Sequence, residues 1–63
     1  MNVAQNIKAN RTKLGLTQKQ LAEKVNKSEV AIRMWELGKN EPTLSSLLIL
    51  KNIFEVTLDE LVE

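Results

Sequence analysis

Two helical patterns stand almost end to end in the middle of this sequence, and that spacing constrains the fold most. Leu21, Ala22 and Val25 carry the first pattern. Ala31, Ile32 and Trp35 carry the second, and about three residues around Asn26 separate them. So short a turn holds two helices at a steep angle. The crossing needs a small side chain, which Ala22 supplies, and apolar residues on both facing sides, which Leu21, Val25, Ile32 and Trp35 supply. It also favours a residue that tolerates positive φ, and Asn26 suits that better than any other non-glycine type. The second helix of the pair then projects as a rigid element. Ile32 and Trp35 face the core, and Ser28, Glu29, Val30, Arg33 and Met34 face outward.

The flanking sequence gives three more helices and no strand alternation. Val3, Ala4, Ile7 and Leu14 form a first stripe, with Asn2 and Gln5 placed to cap it and Gly15 placed to end it. Thr17 with Gln20 is a capping box for the second helix. Ser28 caps the third, which Gly38 stops. Beyond Pro42, Thr43 caps a fourth helix carrying Leu44, Leu47, Leu48, Leu50 and Phe54. Thr57 with Glu60 is a second capping box, for a short fifth helix with Leu58, Leu61 and Val62. The expected fold is all-α, five short helices in one domain over residues 1–63.

Composition narrows the function. A chain of this size buries only about 60% of the surface its unfolded form exposes, so help from a second subunit is expected. There is no cysteine and no histidine. Disulfides, thiolate or imidazole metal sites and imidazole acid–base chemistry are therefore not expected. No apolar run approaches the roughly 20 residues of a membrane span, and no signal-peptide pattern opens the chain. We expect a cytoplasmic protein without cofactor, metal, small-molecule ligand or enzymatic activity. Charge is segregated. Residues 1–40 hold eight Lys or Arg against three acids, a net of +5, and residues 41–63 carry a net of −4. A basic front and an acidic back fit a surface that meets an anionic polymer.

Three stretches, "GLTQKQLAEKV", "MWELGKNEP" and "TLDELV", closely resemble the phage-repressor and Cro type of helix-turn-helix domain. The most specific parts are Gly15-Leu16-Thr17-Gln18 with Leu21-Ala22, and Trp35-Glu36-x-Gly38-Lys39-x-x-Pro42. The resemblance runs from about Ile7 to Val62. It implies a compact five-helix bundle of the lambda-repressor-like type that binds double-stranded operator DNA as a homodimer, with the third helix in the major groove. Carried over by position, it places Ser28, Glu29, Val30 and Met34 at base edges, with Arg33 beside them on guanine or phosphate. Gln18, Lys39 and Asn40 fall at phosphate-contacting positions, and Lys27, read from its charge beside the third helix, is a further candidate phosphate contact. Arg11 and Glu36 match an internal ion pair tying the first helix to the end of the third.

This sequence departs from the family at three places. Asn26 stands where glycine is usual. Lys51 and Ile49 look exchanged, so that Lys51 is expected to lay its stem along the core and Ile49 to be exposed. Glu29 puts an acid on the DNA-facing side. It can accept from cytosine N4, orient Arg33 four residues on, repel phosphates at wrong sites, or simply favour the helix dipole from the first turn. Val30 and Met34 suit thymine methyls.

We expect the dimer contact from the acidic, apolar C-terminal segment: Ile49, Phe54, Leu58, Leu61 and Val62. The overall expectation is a transcriptional regulator, a repressor by steric action on a pseudo-palindromic operator. The alternative is a protein-interaction module on the same fold, antitoxin-like or coactivator-like. The Met1 start and short tail favour a whole small protein.

Overall fold

Among the described residues, four of the five helices begin where a Ser or Thr hydroxyl takes the backbone N–H three residues on. The computed structural model describes residues 2–63. Its helices are α1 (Val3–Lys13), α2 (Gln18–Val25), α3 (Glu29–Glu36), α4 (Leu44–Phe54) and α5 (Leu58–Val62). Thr17, Ser28, Thr43 and Thr57 are the caps, and both capping boxes are closed. The first helix is the exception. Asn2 makes no side-chain cap. Its Nδ2 donates to the Glu63 carbonyl at 3.2 Å, and its backbone N–H donates to Val62 at 3.2 Å. The last carbonyls of a helix have no intrahelical partner, and those of the short α5 take donors from α1. Asn6, one turn along α1, continues this. Its Nδ2 donates to the Leu61 carbonyl at 2.8 Å and to Glu60 at 3.3 Å.

Gly15 and Gly38 end their helices at φ 72° and 74°, a conformation that side chains resist. Asn26 takes φ 57° in the turn between α2 and α3, as expected. Glu55 takes φ 56° after α4, which the sequence did not announce.

Ile7, Leu21, Ile32, Leu50 and Leu61 are fully buried, one from each helix. Val3, Ala22, Val25, Trp35 and Phe54 complete the core. α3 packs on α2 and α1, and α5 closes the other side against α1 and α4. The body measures 24 × 23 × 19 Å.

The dimer expectation needs correcting. Leu61 is completely buried and Phe54 is 7% exposed, so both belong to this chain's own core and offer no surface to a second copy. Leu58 and Val62 are half-buried. Ile49 is 43% exposed, as expected from its position. Lys51 is half-buried, and its amine donates to Asn52 Oδ1 at 3.2 Å. The stripe that α4 buries is Ser46, Leu50 and Phe54, spaced four apart. Leu44 and Leu48 therefore turn outward beside Ile49, 63% and 41% exposed.

Candidate nucleic-acid interface

The position of α3 is fixed at both ends and along one side. At its start, the Asn26 turn is closed by the Lys27 N–H donating to the Ala22 carbonyl at 2.9 Å. Ser28 Oγ accepts the Ala31 N–H at 3.1 Å, which leaves its own hydroxyl proton free to donate outward. Along its inner side, Ile32 is fully buried and Trp35 is 6% exposed. At its end, the following loop folds back on it. The N–H groups of Lys39 and Asn40 both donate to the Met34 carbonyl, at 3.0 and 3.4 Å. Lys39 and Asn40 are thereby held beside the last turn of the helix.

The outward face collects the residues expected there. Ser28, Glu29, Val30 and Arg33 are exposed, and Met34 is half-buried. Glu29 and Arg33 stand four apart on one face. The ion pair resolved among the described residues is Arg11–Glu36, not this one. Among the described residues neither Glu29 nor Arg33 makes a salt bridge, and both side chains are exposed. Lys27 is exposed in the turn. The face thus presents a hydroxyl donor, a carboxylate acceptor, a guanidinium and two apolar groups on one rigid element. That is the set of chemistries that base edges in a major groove can distinguish.

Arg11 and Glu36 pair as expected. Arg11 Nε donates to Glu36 Oε2 at 2.6 Å and Nη2 to Oε1 at 3.1 Å. The two side chains are 14% and 4% exposed. The hydrogen bond to Glu36 holds the guanidinium pKa above its ordinary value, although burial opposes this. Arg11 Nη1 also donates to the Leu16 carbonyl at 2.8 Å, which secures the loop before α2. One link was not legible in the sequence. Gln18, the first residue of α2, is half-buried, and its Nε2 donates to Glu36 Oε1 at 3.0 Å. A polar contact across two helices leaves no periodicity, so only the folded chain reveals it.

Two short helices joined by a three-residue turn, the second anchored inside and chemically varied outside, define a helix-turn-helix protein. A model of the helix-turn-helix family matches residues 7–61, and the chain belongs to that family. It is 49% identical over 51 residues to the HTH-type transcriptional activator BcrR of Enterococcus faecalis, covering 81% of this chain and 25% of that protein. It is 35% identical over 60 residues to an uncharacterised HTH-type transcriptional regulator, YqaE, of Bacillus subtilis, covering 95% of this chain and 52% of that one. The chain thus spans between a quarter and about half the length of these relatives. The crystal structure of the P22 c2 repressor protein with a synthetic operator superposes with a TM-score of 0.92 at 33% identity, covering 100% of this chain and 96% of that one. The solution structure of the P22 c2 repressor DNA-binding domain gives 0.90 at 34% identity, covering 98% and 82%.

Proposed function

We propose that this chain is a sequence-specific DNA-binding transcriptional regulator that reads operator major groove with α3. One observation carries the reading. The outward face of α3 is exposed and uncommitted, on a body that superposes over its whole length with a repressor held on its operator. Ser28, Glu29, Val30, Arg33 and Met34 are the base-facing set. Gln18, Lys27, Lys39 and Asn40 meet phosphates on either side of it.

The chain acts as a homodimer. Successive major grooves on one face of B-DNA lie about 34–36 Å apart. One copy is 24 Å in its longest dimension and cannot serve both. Leu44, Leu48 and Ile49 on α4 supply apolar surface for the second copy, joined by what Leu58 and Val62 leave exposed. A bound dimer acts by occupying DNA in the cytoplasm. Occlusion of polymerase gives repression, and an operator beside the promoter gives recruitment. The chain works by binding rather than by catalysis.

The salt dependence of duplex binding tests this. Lys27 and Lys39 from two copies release about four counterions, so the slope of log K against log salt is expected near −4. A slope between 0 and −1 would instead support an antitoxin-like or coactivator-like protein-interaction role.

A further inference from the structure

We propose that Glu36 is a positioning residue for DNA binding, acting through Gln18. The inference rests on the DNA-binding reading above. The Glu36 side chain is 4% exposed and is gripped by two nitrogens of Arg11. Its Oε1 also takes the Gln18 carboxamide at 3.0 Å. A carboxylate paired with arginine only accepts, so it dictates which end of the amide faces it. The nitrogen must turn inward to Glu36. That nitrogen carries two protons, and Glu36 uses one.

Gln18 opens α2. The Gln20 N–H is already taken by Thr17 Oγ1 at 3.0 Å. The N–H groups of Gln18 and Lys19 lie in the first turn, where no intrahelical carbonyl serves them. In the proposed arrangement the second Nε2 proton adds to these donors at the end of the helix that favours an anion. An amide free to flip would present its carbonyl oxygen to a phosphate and repel it. Glu36 prevents that flip, and the charge of Arg11 beside it offsets the repulsion between the carboxylate and a phosphate. Glu36 is also the last residue of α3. One carboxylate therefore sets both the phosphate donor on α2 and the end of the helix that reads bases.

A double-mutant cycle on a duplex selected by the wild-type chain from random DNA tests this, at a temperature where circular dichroism shows every variant folded. Gln18→Ala is expected to weaken binding about tenfold in the wild-type background, because the lost bond is to a charged group. In the Glu36→Gln background the same change is expected to cost less than twofold. An equal loss in both backgrounds overturns the proposal. A second readout needs only wild-type protein. One Gln18 side-chain amide proton should be shifted downfield and slow to exchange in the free chain, and should stay so when DNA moves the other. Two protons at ordinary side-chain amide shifts, both fast-exchanging, or loss of the first bond on DNA, would also overturn it. A wild-type chain that binds no duplex removes the DNA reading itself, whereas a DNA binder with uncoupled Gln18 and Glu36 removes only this proposal.

Discussion

Arg11 and Glu36 show how much a single residue can carry in a body this small. Glu36→Ala leaves a guanidinium that is 14% exposed without its carboxylate. Breaking a buried pair from one side costs about 3–5 kcal/mol. Chemical denaturation should record a loss of that size, and a loss under about 1 kcal/mol would mean the pair is screened like a surface one. Among the described residues, Asn26 and Glu55 hold left-handed backbone without being glycine. Glu55→Gly should stabilise the chain by about 0.5–1 kcal/mol, since relief of the φ penalty exceeds the added freedom of the unfolded glycine. Asn26→Gly should gain less, because asparagine tolerates that region. Glu60 titrates with a definite sign. The Thr57 N–H donates to its carboxylate at 2.8 Å, and this bond, then the Thr57 side chain, lowers its pKa from the ordinary 4.5. The capping box therefore contributes above pH 4.5 and is lost as pH falls through the lowered folded value. An NMR titration of the Glu60 carboxyl should give a midpoint below 4.5, and one at or above it would contradict the closed box. At this scale the sequence was partly legible. Positive φ at Asn26 followed from its position in a tight turn. Positive φ at Glu55 did not, because glutamate carries no such signal.

Among the elements, helix starts were readable and helix partners were not. Thr17, Ser28, Thr43 and Thr57 announce four starts because a hydroxyl cap is a local device. The role of Asn2 depends on α5, some sixty residues away along the chain, and no local rule reaches that far. The consequence is testable on α5. Asn6→Ala leaves the Leu61 carbonyl, which accepts at 2.8 Å, without its partner. It should cost about 1 kcal/mol and lower amide protection in α5 before the other helices. Unchanged protection there would mean that apolar packing alone holds α5. α4 misled for a different reason. Its apolar residues spread over most of the helix and a serine, Ser46, lies on the buried stripe, so hydropathy alone could not choose that stripe. Leu50→Ala should cost about 2–5 kcal/mol as a core truncation, whereas Leu48→Ala should change monomer stability by no more than about 0.5 kcal/mol.

At the scale of the whole molecule, the five-helix architecture and the outward face of α3 were legible, because tight spacing and alternating burial determine both. The surface proposed for the dimer was not. Phe54 and Leu61 read as spare apolar groups until the fold spent them on its own core. The apolar side chains left exposed on α4 are Leu44, Leu48 and Ile49, and the proposed dimer contact falls on them. Sedimentation should show a wild-type dimer at high micromolar concentration or on DNA, and a monomer for Leu48→Glu. A strict monomer in every case would contradict the two-groove account. The central claim is that α3 reads sequence, and selection from random duplex DNA tests it most directly. The wild-type chain should enrich a palindromic consensus with half-sites about one helical turn apart. Parallel selections with Arg33→Ala and Glu29→Ala should each change particular letters of that consensus. No enrichment, or a consensus that both variants leave untouched, would contradict the account.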